Sequence, residues 1–116
     1  MGDGRAATPE DLGRLLVERV NTGDVEGAVA LYEPDAALGR PGGGTAVGAA
    51  EIREVYALLV EDGTRLSPGR PRPTVRRGNL ALTSTARDDG TVTCEVARRQ
   101  PGGHWLWALD QPDARD

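Results

Sequence analysis

One stretch limits the fold of this chain more than any other: residues 15–56, LLVERVNTGDVEGAVALYEPDAALGRPGGGTAVGAAEIREVY. It breaks helical segments at short intervals. Asn21-Thr22-Gly23 stops a first helix, because glycine tolerates the left-handed conformation a helix terminus often needs. That helix begins at Thr8-Pro9 and carries Leu12, Leu15, Leu16 and Val20 as one apolar stripe. Asp24 caps a second helix, which the spacing closes at Leu31-Tyr32, since Pro34 drives the residue before it out of the helical region. Asp35 to Gly39 reads as extended and Arg40 to Gly44 as a flexible loop. A third helix runs from about Ala49 to Val60, with Ile52, Val55, Tyr56 and Leu59 on one face.

Four extended runs follow: Thr74–Arg77, Leu80–Arg87, Thr91–Arg99 and His104–Asp110. Short Gly-, Asp- and Pro-containing turns separate them as hairpins. Three helices followed by an antiparallel meander predict an α+β domain over residues 8–110, with a disordered tail at 1–7 and a second tail at 111–116. In the last run, alternation puts Trp105, Trp107 and Leu109 on one face and Leu106, Ala108 and Asp110 on the other. Both faces are apolar, so a homodimer through the outer sheet face is expected, with the two indoles in it.

Composition excludes several classes of function. At 116 residues the chain builds a single core. A net charge of −4 and only 3% aromatic residues argue against nucleic-acid binding. No apolar run is long enough to span a membrane, and the first residues lack an apolar signal core, so a cytoplasmic protein is expected. Cys94 has no partner for an internal disulfide and reads as a buried, inert thiol. With one Cys and one His (His104) there is no metal constellation of the usual kind. The Gly-rich loop lacks phosphate-cradle spacing, so no cofactor is expected. All 14 basic residues are Arg, and those between Arg65 and Arg77 read as a solvated loop and strand face.

The turn Asn21 to Gly27, the Ala-Leu-Tyr ending at Tyr32 with Asp35-Ala36 beyond it, the helix Glu51 to Tyr56 and the hairpin Arg98 to Trp105 together resemble the NTF2-like superfamily. The likeness is strongest to its SnoaL-like and ketosteroid-isomerase-like bacterial members. The resemblance implies a cone in which three N-terminal helices pack on a curved antiparallel sheet and enclose a pocket for a small hydrophobic ligand. In the ketosteroid isomerases an oxyanion hole of Tyr and protonated Asp works with a second Asp that shuttles the proton; that enzyme is a standard case of a carboxylic acid kept neutral. Matched onto this chain, the Tyr position falls on Leu16, the shuttle on Arg40 and the oxyanion Asp on Glu95. Leucine donates no hydrogen bond and arginine is no base, so classical steroid isomerisation is not expected.

The remaining candidates for catalysis are Asp110, Glu95 and Tyr56. Family geometry puts Asp110 on the pocket side, where an apolar setting raises a carboxyl's pKa toward acid–base use. Glu95 either joins it or, by strand parity, faces away and pairs with an Arg. Tyr56 either orients a ligand oxygen or packs in the core, and Tyr32 reads as core. Leu16, Leu38, Arg40, Tyr56, Leu59 and Ala108 are the expected ligand-binding set. Three functions fit this pattern. The first is a SnoaL-like isomerase, cyclase or dehydratase acting on a hydrophobic oxygenated substrate such as a polyketide. The others are a non-catalytic carrier of an apolar ligand and a dimeric interaction module with a vestigial pocket.

Overall fold

A computed structural model describes residues 4–115. Helix α1 spans Asp11–Asn21 and buries Leu12, Leu15, Leu16 and Val20, the stripe read from the sequence. The Thr8 N–H donates to the Asp11 carboxylate at 3.1 Å, so Asp11 satisfies a free amide just ahead of the helix. Helix α2 covers only Val25–Val29, capped by the Asp24 carboxylate, which accepts from Gly27 N–H at 2.9 Å. Helix α3 spans Gly48–Glu61 and buries Ile52, Val55 and Tyr56. Glu51 accepts from the Val47 N–H at 2.8 Å and so closes its first turn.

Three helices are present, but they are not all N-terminal to the sheet. Strands β1 (Tyr32–Gly39) and β2 (Thr45–Val47) come between α2 and α3. The second helix therefore stops short of the predicted Leu31-Tyr32, and Tyr32 opens a strand. Pro34 is tolerated inside β1 because pairing there is interrupted: β1 meets its neighbour at Tyr32 and again only from Ala37. The later strands are β3 (Arg70–Pro71), β4 (Val75–Arg77), β5 (Leu80–Thr83), β6 (Thr85–Ala86), β7 (Cys94–Arg99) and β8 (Trp105–Gln111). Six of them form one curved sheet in the order β2-β1-β8-β7-β5-β4, and β3 pairs with β6. The sheet is mixed, because β1 runs parallel to β8.

The ends of the described chain are tied in. Ala6, assigned to a tail by the sequence, is buried and bridges to Trp105, whose N–H donates to the Ala6 carbonyl at 2.9 Å. Gln111 extends β8, and Ala114 N–H donates to the Val92 carbonyl at 2.7 Å.

The placement of the indoles corrects the sequence reading. Val96 pairs with Leu109 while Ala97 pairs with Trp107, which leaves Ala108 as an extra, unmatched residue in β8. This β-bulge breaks the two-residue alternation. Trp105 and Trp107 point inward and are 2% and 3% exposed, and Asp110 points inward with them. Leu109 instead faces out at 53% exposure. The face that carries the indoles is therefore the core face of this subunit, and they form no outer surface for a partner.

Strand register defines what each side of the sheet presents. On the concave side, Ala46, Leu38, Asp110, Glu95 and Thr83 are successive cross-strand partners. On the convex side the corresponding row is Val47, Ala37, Leu109, Val96, Leu82 and Val75.

Candidate active site

A cavity of about 520 Å³ lies between α1, α3, the concave face of the sheet and the segment 64–74. Its inner wall includes Leu16, Leu38, Val55, Leu59 and Trp107, and two carboxyls, Glu95 and Asp110, project from adjacent strands into the same space. Threonines at 83, 85, 91 and 93 and the guanidinium of Arg87 complete the polar side.

Asp110 is 7% exposed. Burial pushes its pKa up to about 7, and the neighbouring Glu95 charge adds to the rise. Two features oppose it: a hydrogen bond from Tyr32 and the positive charge of Arg87. Glu95 is equally buried, and desolvation raises its pKa too. Hydrogen bonds from Thr93 and Thr83 restrain that rise, the Thr83 hydroxyl donating at 2.7 Å. The strand-parity expectation that Glu95 might face away fails because the buried side of β7 is Glu95 and Ala97, while Cys94 and Val96 are only half-buried. Both carboxyls thus resist ionisation, and they sit opposite each other in register.

Behind Asp110 stands a chain of phenols. The Tyr32 hydroxyl donates to Asp110 Oδ2 at 2.5 Å and lies 2.5 Å from the Tyr56 hydroxyl. Tyr32 owns a single hydroxyl proton; when Asp110 is ionised that proton goes to Asp110 and Tyr56 is the donor to Tyr32, and when Asp110 is protonated the chain can run the other way. Both phenols are held well above their ordinary pKa, first by burial and then by the Asp110 charge. They act as neutral hydrogen-bonding groups across the accessible pH range. Tyr32 packs its ring against Tyr56 and Trp107, with centroids 5.9 and 5.1 Å away.

Of the residues singled out from sequence, Asp110, Glu95, Tyr56, Leu16, Leu38 and Leu59 all line the cavity. Two do not. Arg40 is turned to Glu51, 3.7 Å away, while its neighbours Gly39 and Pro41 form the wall. Ala108 is the bulged residue, displaced from the wall by the break in alternation. Sequence reasoning missed two residues of consequence. Tyr32 passed for the last turn of an amphipathic helix, although the Pro34 two residues on is equally a signal of extended chain. Arg87 was an unremarked member of a strand. Among the described residues, no group of three or more His, Cys, Asp or Glu is arranged to hold a metal, and no helix is long and apolar enough to cross a membrane.

A curved mixed sheet wrapped by three helices around a cavity defines the NTF2-like class. Within it the chain belongs to the SnoaL-like domain family, whose profile matches residues 14–108. Among solved structures it is similar to a ketosteroid isomerase-like protein from Erwinia carotovora atroseptica, at 22% identity over 88% of this chain and 89% of that one, with a TM-score of 0.69. A domain of unknown function with a cystatin-like fold from Nostoc punctiforme superposes with a TM-score of 0.76 at 18% identity, over 91% of this chain and 74% of that one. An NTF2-like protein from Novosphingobium aromaticivorans gives a TM-score of 0.60 at 20% identity, over 87% and 75%. At these identities the likenesses speak for the fold alone. Among curated proteins none matches the chain.

Proposed function

We propose that this protein is a small-molecule enzyme that moves protons on a hydrophobic, oxygenated substrate, in the manner of an isomerase, cyclase or dehydratase. The observation that carries this reading is Asp110: a carboxyl in an apolar cavity, hydrogen-bonded to Tyr32, with its pKa near 7. At neutral pH such a group is divided between acid and base, which is the condition under which one residue both removes and returns a proton. Asp110 takes a proton from a carbon next to a carbonyl and delivers it to a second position on the same molecule. Glu95 keeps Asp110 from ionising too readily, Tyr32 fixes its orientation, and Tyr56 anchors Tyr32. The mostly apolar inner wall selects a substrate that buries its hydrocarbon body.

A non-catalytic carrier of an apolar ligand is the second reading, favoured by the same wall. A homodimer is also part of the proposal. The convex row has four well-exposed apolar side chains, Val47, Val75, Leu82 and Leu109, and a second copy is the natural cover for them.

The test is exchange of the α-protons of 2-tetralone in D2O, followed by proton NMR. The wild type is expected to accelerate loss of the α-signals and Asp110→Asn to lose that acceleration by about 10²-fold or more. Binding without exchange would replace the enzyme reading by the carrier reading.

A further inference from the structure

The segment 64–74 forms one side of the cavity and brings two arginines to it, Arg65 and Arg72. Both are exposed, so they stand at the mouth and not in the depth. The backbone that carries them is pinned at several points. Asn21, at the end of α1, takes both backbone groups of Leu66: its side-chain amide donates to the Leu66 carbonyl at 2.9 Å and its oxygen accepts from the Leu66 N–H at 2.8 Å. Arg87 donates to the Ser67 carbonyl at 2.7 Å, and the Arg72 N–H donates to the Ser84 carbonyl at 2.8 Å. At Gly69 the segment lies so close to β6 that a Cβ would stand 2.4 Å from the Ala86 carbonyl oxygen. Pro68, Pro71 and Pro73 fix their own φ angles between these anchors. The two side chains therefore project from a fixed wall, which lowers the ordering cost of meeting a ligand.

Other charges in the cavity lining are already engaged. Arg14 lies 3.5 Å from Asp11 and 3.3 Å from Glu18. Glu10 is hydrogen-bonded to the side chains of Thr74 and Thr8. Asp89 accepts from the Thr91 N–H and hydroxyl at 2.9 and 2.7 Å. Among the described residues, the guanidinium groups of Arg65 and Arg72 meet no acid and no hydrogen-bond acceptor. The sequence placed them on one solvated face with Arg70, Arg76 and Arg77. Arg76 instead lies over the Trp105 ring, 4.8 Å from its centroid, while Arg65 and Arg72 face the cavity. The cavity is thus polarised along its depth. Two carboxyls that resist ionisation project from the sheet at one end, and unpaired cations stand at the other. A chain of net charge −4 repels anions over most of its surface and draws them to such a place. The planar fork of arginine matches the two oxygens of a carboxylate.

We propose that Arg65 and Arg72 receive a carboxylate at the cavity mouth, so that the ligand is amphipathic, with an apolar body reaching toward Asp110 and an anionic outer end. This deepens the reading of the cavity as a substrate site and rests on it.

The probes are 2-tetralone, its 6-carboxylate and the methyl ester of that acid. The last two share one bicyclic ketone and differ in charge at the end remote from the carbonyl. Binding is measured by titration calorimetry at low and at high NaCl. At about 20 mM salt the carboxylate is expected to bind the wild type roughly 5- to 20-fold more tightly than the ester, and at about 0.3 M salt that ratio should fall by half or more. In the Arg65→Gln/Arg72→Gln double variant the ratio should come close to one at both salt concentrations. Both side chains are exposed, so the double variant keeps its fold. A wild type that binds carboxylate and ester alike would overturn the proposal, and so would a double variant that keeps the preference. If none of the three probes binds at millimolar concentration, the proposal fails together with the substrate-site reading. If 2-tetralone undergoes Asp110-dependent α-proton exchange while the carboxylate gains nothing over its ester, the proposal fails alone.

Discussion

Tyr32 and Asp110, 78 residues apart in the chain, share a 2.5 Å hydrogen bond in the interior. One residue opens the strand β1 and the other lies near the end of β8, and the parallel pairing of those two strands brings them together. The bond holds a carboxyl inside an apolar wall, and most of what can be tested about this protein follows from it.

The first consequence concerns stability. In the folded state Asp110 titrates near 7 rather than at its ordinary 3.8. Between those values the folded protein binds a proton that the unfolded chain has released. Stability is therefore fully present below the unfolded value and is lost as pH rises through about 7. Each pH unit of difference corresponds to ~1.4 kcal/mol. Urea unfolding of the wild type should weaken between pH 5 and pH 8 by roughly 2–3 kcal/mol from Asp110 alone. Asp110→Asn should flatten this dependence and be the more stable form above pH 7, while Glu95, shifted the same way, leaves a residual slope.

Tyr32→Phe removes the donor that opposes the rise in the Asp110 pKa. Carbon-13 NMR titration of the side-chain carboxyls should show Asp110 moving further up. The loss of two buried hydrogen bonds at one hydroxyl should cost about 1–3 kcal/mol in thermal or urea unfolding. An Asp110 pKa that stays put or falls would mean that the bond contributes nothing to the charge state of the site.

Arg87 is the positive charge that favours ionisation of both Glu95 and Asp110. Arg87→Gln should raise the two carboxyl pKa values together in the same titration and shift any Asp110-dependent pH profile to higher pH. A change at one carboxyl only would contradict the shared influence.

Leu109→Arg tests the convex face. The side chain is 53% exposed in the single subunit, so the substitution should alter monomer stability by no more than about 0.5 kcal/mol. Sedimentation equilibrium is expected to report twice the 12.2 kDa chain mass for the wild type and a single chain for the variant. A wild type that sediments as a monomer at tens of micromolar would remove the dimer.

How far these features are legible in the chain depends on the range of the interaction that sets them. Helices α1 and α3 announce themselves, since their apolar positions recur every three or four residues and their capping signals are local. The boundary between α2 and β1 is hidden, because Tyr32 continues the helical spacing while its destination is set by pairing with β8 far away in sequence. Asp110 and Glu95 were legible as candidates, the former because strand parity and family position agreed on the pocket side, although alternation gave it Leu106 and Ala108 as companions in place of the indoles. Trp107 was assigned to the opposite side by that same alternation. Its unpaired indole nitrogen is visible only once the side chains around it are in place.

The extra residue at Ala108 acts on β8 as a frameshift acts on a reading frame. Upstream of it the odd-numbered Trp105 and Trp107 point inward, and downstream the even-numbered Asp110 does. Deleting that one residue would leave Trp107, Leu109 and Asp110 in plain alternation opposite Ala97, Val96 and Glu95, with the acid still inward, whereas keeping Ala108 and pairing it without the bulge would carry the acid to the convex surface and Leu109 inward. The same side chains therefore specify an acidic pocket or a greasy one according to how β8 pairs with β7, and the irregularity in the pairing, more than the composition of the strand, keeps the acid inside.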